Sequence, residues 1–262
     1  MMNRTSTQVT RLTVCSSRIL KEERLLILAD LHQQARSSYL PLWQSLDPTA
    51  VLIVGDFIEA DQRPRGREET LSLLTALAQQ YPVYYSLGNH ELGRRGRRPP
   101  TGECCREGSS LPPATQAIVD ELTARGVHVL HNAYVRHGDL CIGGLTSAAG
   151  TVISTDWLSD MAAEQGYRLL LCHHPEYYDE YVRRHSFDLT VSGHAHGGQW
   201  RFFGQGIYAP GQGIFPRYTN GYYDGERLLV SRGLADRSIV PRFGNPKQTI
   251  LLQLKPLEQT GE

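Results

Sequence analysis

Three segments in the first third of the chain share one pattern: an apolar run, then a polar motif, then a stretch with helical character. The apolar runs cover residues 24–29, 50–54 and 83–87, and they end at Asp30, Gly55-Asp56 and Gly88-Asn89. Continuous apolar runs of this length are typical of strands buried on both faces. The pattern therefore predicts an α/β fold with right-handed crossovers, whose polar motifs gather at the carboxyl edge of a sheet.

The remaining segments predict further strands, helices and loops. Strands are predicted at residues 127–130, 133–137, 140–142, 168–172, 188–191, 227–230 and 248–254, and helices after residue 32 to about 46 and at 68–80, 114–125 and 155–165. Residues 1–23 are weakly patterned, with one strand near 9–14, residues 92–113 predict a long basic loop, and the glycine-rich remainder after residue 200 predicts turn-rich antiparallel structure. No linker divides the chain, so we predict a single domain over residues 1–262.

The composition narrows the possible partners and the location. Lys and Arg together number 27, as do Asp and Glu, which argues against dedicated nucleic-acid binding. No run approaches the roughly 18 apolar residues that span a bilayer, and the first residues lack the apolar centre of a signal peptide. Five cysteines, without a CxxC pair, are typical of free thiols in a reducing compartment. We therefore expect a cytoplasmic protein without a transmembrane segment; the oligomeric state stays open.

The stretch from Val191 to Gln199 contains two histidines beside several glycines. His194 and His196 can face a common point on extended or turn backbone, whereas a helix would separate them by about 200°. Glycines 193, 197 and 198 allow a tight turn and close approach to an ion. Taken alone, the stretch is equally consistent with a polar turn.

Five strand ends together supply a set of metal-competent side chains. These are Asp30, His32, Asp56, Asn89, His173, His194 and His196. Imidazole and carboxylate ligands suit zinc, iron or manganese, and the lack of cysteine in the set argues against a structural zinc site. Seven ligands are too many for one ion, but two ions fit if one carboxylate bridges them. Ions about 3.5 to 4 Å apart are the arrangement found in phosphatases and nucleases.

The order of these motifs resembles a known superfamily. Asp-x-His, Gly-Asp, Gly-Asn-His-Glu, His-x-Pro and Gly-His-x-His, spread over about residues 25–200, resemble the calcineurin-like metallophosphoesterases. The Gly-Gly-Gln, Ser-Arg-Gly-Leu and Pro-Arg-Phe stretches further on are similar to the bacterial phosphodiesterase branch that contains the YaeI and YkuE proteins. The resemblance implies a four-layer α/β/β/α sandwich with two mixed β-sheets. It also implies a dinuclear-metal phosphoesterase that cleaves a diester, in preference to a monoester or pyrophosphate, by attack of a metal-bridging hydroxide.

The resemblance also implies a role for each ligand. Asp30, His32 and His196 would hold the first metal, Asp56 would bridge, and Asn89, His173 and His194 would complete the second. His173 is preferred to His174 because the family's ligand stands two residues before the proline, here Pro175. Two divalent ions bring +4 against −2 from two carboxylates, so the site attracts phosphate oxyanions.

Two further residues are implied to assist. His90 follows Asn89, and the family's histidine at this position donates a hydrogen bond or proton to the phosphoryl or leaving-group oxygen. Glu59 stands where related enzymes place an acid that orients this histidine, and Glu91 is the alternative. The arginines of the basic loop, Arg94, Arg95, Arg97 and Arg98, either hold an anionic substrate or belong to a solvated loop.

Rival functions predict different surfaces. The substrate is expected to be a phosphorylated small molecule or a lipid-linked phosphate. A nuclease would show a basic groove, and a lipid-linked pyrophosphate hydrolase an exposed apolar patch near the site. Trp200, Phe202 and Phe203 either line an apolar substrate wall or belong to the core. A non-catalytic binding scaffold would lack ligands, and every ligand that the motifs require is present here.

Overall fold

A computed structural model describes residues 7–60, 65–93, 111–147, 155–236 and 240–257. In these residues the strands, in chain order, are β1 (Gln8–Ser16), β2 (Glu23–Leu28), β3 (Ala50–Val54), β4 (Val83–Ser86), β5 (Val127–Leu130), β6 (Ala133–His137), β7 (Leu140–Leu145), β8 (Tyr167–Cys172), β9 (Leu189–Ser192), β10 (Arg201–Phe202), β11 (Gln205–Gly206), β12 (Tyr208–Ala209), β13 (Gly213–Ile214), β14 (Gly221–Tyr223), β15 (Leu228–Val230) and β16 (Gln248–Pro256). The helices are α1 (Tyr39–Gln44), α2 (Arg67–Ala78), α3 (Pro113–Ala124) and α4 (Asp156–Ala163), with a π-helix at Tyr178–Val182 and a 3₁₀ turn at His196–Gly198.

Two six-stranded sheets form the centre of the fold. The first has the order β1-β16-β2-β3-β4-β5, in which β2 to β5 are parallel and β16 is antiparallel to β2. The second has the order β14-β15-β9-β8-β7-β6, in which β7, β8, β9 and β15 are parallel and the edge strands are antiparallel. Both sheets are therefore mixed, as the resemblance implied.

Three hydrophobic clusters separate four layers. Trp43, Leu74 and Ile118 pack the first three helices on the outer face of the first sheet. Alternate residues of both sheets, among them Leu52 and Leu169, fill the space between them. On the outer face of the second sheet a third cluster joins α4 and the π-helix to the strands. Helices thus cover both outer faces, and the architecture is the predicted α/β/β/α sandwich.

Parts of the sequence-based prediction need correction. The predicted helix after residue 32 is reduced to α1, because His32 and Gln33 adopt left-handed backbone that a helix excludes. The end of the chain is also not simply antiparallel, because β15 lies parallel to β9 and β16 enters the first sheet between β1 and β2. The arginines of residues 94–98, on which the basic-loop hypothesis rests, lie outside the described residues.

This topology places the polar motifs together. The carboxyl ends of β2, β3 and β4 meet those of β8 and β9, where open α/β sheets bind ligands. Backbone hydrogen bonds tie neighbouring motifs, from Asp30 N–H to Gly55 C=O (3.1 Å) and from Gly193 N–H to His173 C=O (3.0 Å). Among the described residues the helices are all too short to cross a membrane.

Candidate metal centre

Asp30, His32 and His196 form one group of converging ligand atoms. Their nearest donor atoms all lie within 4.8 Å of one another. The Nε2 atoms of the two histidines are 3.2 Å apart, and Nε2 of His196 lies 3.7 Å from Oδ1 of Asp30. Asp30 is fully buried and accepts the backbone N–H of His194 at 2.9 Å. The structure therefore brings together the three residues predicted to hold the first metal.

The residues predicted to hold the second metal lie beside this group. Asp30, Asp56 and His173 form a second group within 4.8 Å, and His173, His174 and His194 form a third. Nε2 of His173 is 3.0 Å from Oδ2 of Asp56. Asp56 thus lies between the groups, as a bridging carboxylate requires.

His173 and His174 both face the centre, with different surroundings. Nδ1 of His173 donates to the carbonyl of Val54 at 2.7 Å, so that once Nε2 is deprotonated its lone pair faces the carboxylates. That Nε2 atom is buried and makes no aligned hydrogen bond. His174 instead contacts Oε1 of Glu176 through Nδ1 and Oδ1 of Asn89 through Nε2, at 3.1 and 3.2 Å. These contacts favour His173 as the ligand, with His174 adjacent to Asn89.

The backbone at the ligands is unusual. Five of the seven predicted ligands have positive φ, with values of 53° at Asp30, 49° at His32, 56° at Asp56, 62° at His194 and 46° at His196. Residues other than glycine rarely adopt this left-handed backbone conformation, which costs about 1–3 kcal/mol per residue. Such strained residues cluster at functional sites. The surrounding strands hold these turns in place so that the ligands point inward.

The protonation behaviour of the site fits bound cations. Burial, together with neighbouring histidines, holds the pKa values of His194 and His196 well below the usual range, which favours the neutral imidazole that binds metal. Burial opposes a charge on His173, but the carboxylates of Asp56 and Asp30 outweigh it and raise its pKa to about 10. Burial also opposes ionisation of Asp56, but His173 and His90 lower its pKa. The carboxylates thus draw positive charge into a site rich in neutral nitrogen donors.

Glu59 links His90 to His32, one of the residues predicted to hold the first metal. Its Oε2 accepts a hydrogen bond from Nδ1 of His90 at 2.6 Å, and its Oε1 accepts from Nδ1 of His32 at 2.9 Å. Burial would raise the pKa of Glu59, but the two histidines lower it to about 2. Burial likewise disfavours the charged form of His90, but Asp56 and Glu59 raise its pKa to about 9. A charged carboxylate thus fixes the orientation of both rings.

Glu91, the alternative partner for His90, has a different position. Its fully buried carboxylate accepts the backbone N–H groups of residues 56, 57, 58 and 88, at 2.8–3.1 Å, and the hydroxyl of Tyr85. Burial and the nearby charge of Asp56 raise its pKa. Glu91 therefore holds the loop that carries Asp56, and no hydrogen bond to His90 is described for its carboxylate.

Replacement of Glu91 should destabilise the fold. Glu91→Ala leaves four buried N–H groups without their acceptor, each worth about 1–3 kcal/mol, so the free energy of unfolding should fall by at least about 3 kcal/mol. Tyr85→Phe, which removes one donor to the same carboxylate, should cost only about 1 kcal/mol. Urea unfolding followed by circular dichroism measures both variants. A loss below about 1 kcal/mol for Glu91→Ala would contradict this role.

Two residues near the site had no predicted role. Asn245 donates from Nδ2 to the carbonyls of His196 and Gln199, at 2.7 and 3.1 Å, and so fixes the turn of the second histidine motif. Arg242 is buried and donates to the carbonyls of Ala235 and Arg232. In the sequence, the Pro-Arg-Phe stretch drew attention to Arg242. No sequence pattern distinguished Asn245, a single asparagine after a glycine.

The fold and the donor set define a metal-binding α/β/β/α protein, and comparison with known families agrees. The model of the calcineurin-like phosphoesterase family matches residues 23–198. The chain belongs to this family, as the motifs predicted. The matched region contains every predicted ligand. The narrower resemblance to one bacterial phosphodiesterase branch stays a prediction.

Relatives include two bacterial proteins. The chain is 26% identical to the uncharacterized metallophosphoesterase Cj0846 of Campylobacter jejuni, over 90% of this chain and 60% of that protein. It is 22% identical to the uncharacterized protein YpbG of Bacillus subtilis, over 88% of this chain and 80% of the relative. The chain thus spans less than two thirds of the Campylobacter protein's length.

Solved structures show weaker similarity. The phosphopantetheinyl hydrolase PptH of Mycobacterium tuberculosis aligns with a TM-score of 0.46 and 16% identity, over 80% of this chain and 88% of that one. A metallophosphoesterase of Sphaerobacter thermophilus aligns with a TM-score of 0.33 and 17% identity, over 67% of this chain and 61% of that one.

Proposed function

We propose that this protein is a phosphodiesterase with two transition-metal ions, manganese, iron or zinc. The observation that carries the proposal is the convergence of the predicted ligands at one edge of two sheets, with His90 held beside them by Glu59. Asp30, His32, His196 and Asp56 would hold one ion, and Asp56, Asn89, His173 and His194 the other. Family membership supports a phosphoric ester hydrolase, and the preference for diesters is our inference.

Each side chain has a definable task. The two ions, when bound, would supply Lewis acidity toward phosphoryl oxygens and lower the pKa of water. Nε2 of His90 lies 3.9 Å from Oδ2 of Asp56, so the ring borders the position of a bound phosphoryl group. Its Nδ1 proton is fixed on Glu59, which leaves Nε2 to donate to a phosphoryl or leaving-group oxygen. Asn89 contributes an oxygen without adding negative charge.

Two rival functions fit the chain less well. A neutral chain does not favour a nuclease, whose partner carries dense negative charge. A non-catalytic scaffold does not account for strained backbone at five ligands and a charged carboxylate that orients His90. Buried free thiols at Cys141 and Cys172 support the proposed cytoplasmic location.

The test compares two chromogenic esters on protein incubated with manganese, iron or zinc. We expect bis(p-nitrophenyl) phosphate to be cleaved with a higher kcat/KM than p-nitrophenyl phosphate. Faster cleavage of the monoester would replace the diesterase proposal with a phosphatase. If neither ester were cleaved with any of the three metals, the proposal that the protein is a phosphoesterase would be contradicted.

Glu59→Gln tests the link between the two histidines. The amide can accept a hydrogen bond from only one ring and presents an NH₂ group to the other, so kcat should fall by about 10- to 100-fold. Steady-state hydrolysis of bis(p-nitrophenyl) phosphate measures the effect. Glu164→Gln, at a surface ion pair with Arg136, is the matched control and should keep full activity. Equal activity of the two variants would contradict the positioning role of Glu59.

A further inference from the structure

Two short hairpins after the second histidine motif carry an exposed apolar surface. They are formed by β10 with β11 and by β12 with β13. The described residues contain nine exposed large hydrophobic side chains. Seven of them lie on these hairpins, directly beside them, or at Phe243, which pairs with Trp200. We call this surface the aromatic rim; it consists of Trp200, Phe202, Phe203, Tyr208, Ile214, Phe215 and Phe243. Apolar side chains gathered in this way mark an interaction surface. The interpretation of the Trp200 to Phe203 run as core is therefore wrong.

The rim is distant from the other exposed apolar residues. Leu20 precedes β2, and Leu257 follows β16, whose last paired residues lie beside the beginning of β2. Both therefore lie at the amino end of β2, opposite the edge that carries the metal ligands. Within the described residues, the exposed large hydrophobic side chains at the edge that carries the metal ligands are thus those of the rim.

Direct contacts join the rim to the metal centre. The backbone N–H of Ile207 donates to the carbonyl of Gly198 at 3.1 Å, and the guanidinium of Arg201 donates to that of Gly197 at 2.8 Å. Gly211, in the turn of the second hairpin, packs so closely on Glu176 that an added Cβ would meet its carboxylate oxygen at 2.1 Å. Glu176 in turn contacts His174. The hairpins therefore border both histidine motifs.

Two phenylalanines project from the hairpins, Phe203 from the turn between β10 and β11 and Phe215 from the residue directly after β13. Phe203 is fully exposed and Phe215 is 70% exposed, and their φ angles are 49° and 53°. Bulky side chains rarely occupy this left-handed region, and such strain is typical of functional segments. The rings of Phe202 and Phe243 lie 5.5 Å apart and extend the apolar surface beside Phe203.

The charge around the rim points to the occupant. Residues 189–223 contain no Asp or Glu, and they include Arg201 and Arg217. The side chain of Arg217 is 63% exposed beside the ring of Tyr218, and it forms an ion pair with Asp179 at 2.9 Å. Trp and Tyr side chains partition to the headgroup level of a bilayer, Phe side chains insert at the boundary with the acyl chains, and arginines attract anionic lipids. The segment that carries most of the rim thus combines aromatic side chains with two arginines and contributes no acidic residue of its own, although Glu176 and Asp179 border it. An anionic membrane is the surface that this combination fits best.

We propose that the aromatic rim docks on an anionic lipid bilayer and that the phosphoester hydrolysed at the metal centre is carried by a lipid of that surface. The rim borders the ligand motifs, so a docked bilayer presents its headgroups at the site edge. The first part depends on the surface alone, and the second rests on the proposed hydrolase function.

Vesicle sedimentation tests the docking. The protein should sediment with vesicles of equal parts phosphatidylcholine and phosphatidylglycerol, and more weakly with phosphatidylcholine alone. Insertion of one phenylalanine into the bilayer should raise the affinity for vesicles about tenfold. The double variant Phe203→Ser with Phe215→Ser should therefore bind vesicles about 100-fold more weakly. Leu20→Ser, which removes an apolar side chain that is 78% exposed at the opposite edge, is the matched control and should bind normally. Unchanged binding of the double variant, or no sedimentation of the wild type, would overturn the proposal.

A second assay separates the docking from the chemistry. Hexadecyl p-nitrophenyl phosphate in the same vesicles presents a diester on a lipid tail, and bis(p-nitrophenyl) phosphate presents one in solution. The double variant should hydrolyse the lipid ester at least tenfold more slowly than the wild type and hydrolyse the soluble ester at the wild-type rate. Vesicle binding without cleavage of either ester would remove the hydrolase function and leave the docking intact. A wild-type dimer that the double variant converts to a monomer, without vesicle binding, would make the rim a contact between copies and overturn the proposal.

Discussion

Asp56→Asn is expected to reduce turnover by about 10³-fold or more. Asp56 lies between the two ligand groups, with Oδ2 3.0 Å from His173 and Oδ1 accepting the backbone N–H of His90 at 2.9 Å. The amide keeps the shape of the side chain but removes its charge and directs an NH₂ group toward the cations. Hydrolysis of bis(p-nitrophenyl) phosphate and metal content are measured on the same sample.

A matched substitution controls for the change from carboxylate to amide. Asp47→Asn alters an exposed side chain that pairs with Arg24 at the surface, and should leave both activity and metal content unchanged. Asp56→Asn with full activity and full metal content would show that this carboxylate neither bridges ions nor supports the reaction.

His90→Ala should lower kcat by about 10²- to 10⁴-fold while the protein keeps its metal ions. The ring borders the centre but is not among the predicted ligands, so its loss removes a proton or hydrogen-bond donor without removing a donor to metal. Single-turnover hydrolysis together with elemental analysis separates these two effects.

His128→Ala is the control for His90→Ala. His128 lies on β5, with its ring stacked on Tyr84 at 5.3 Å, away from the ligand groups. Its replacement should leave kcat unchanged. If His90→Ala lost its metal along with its activity, His90 would be a ligand and the assignment of roles would be wrong.

The sequence predicted the sheets and the site more completely than it predicted the surface. Continuous apolar runs identified β2, β3 and β4, and the motif directly after each run placed Asp30, Asp56 and Asn89 at one edge. This inference succeeds because buried parallel strands have an unambiguous pattern and their carboxyl ends must meet. The roles assigned to the individual ligands stay predictions.

Other features depend on tertiary contacts that no local pattern specifies. The apolar character of Trp200 and Phe203 is the same in a core strand and in an exposed hairpin, so only the fold shows that they face outward. Glu91 and Glu59 are both acidic residues near the motifs, and only the fold shows that one binds backbone N–H groups and the other binds histidines. The left-handed backbone that shortens the first helix likewise reflects the site rather than helix propensity.

Metal content of the purified protein tests the central claim most directly. We expect elemental analysis to find about two transition-metal ions per chain, a chelator to remove them together with hydrolysis of bis(p-nitrophenyl) phosphate, and manganese to restore activity. Protein without bound metal that stays inactive after manganese is added would contradict the two-metal phosphodiesterase.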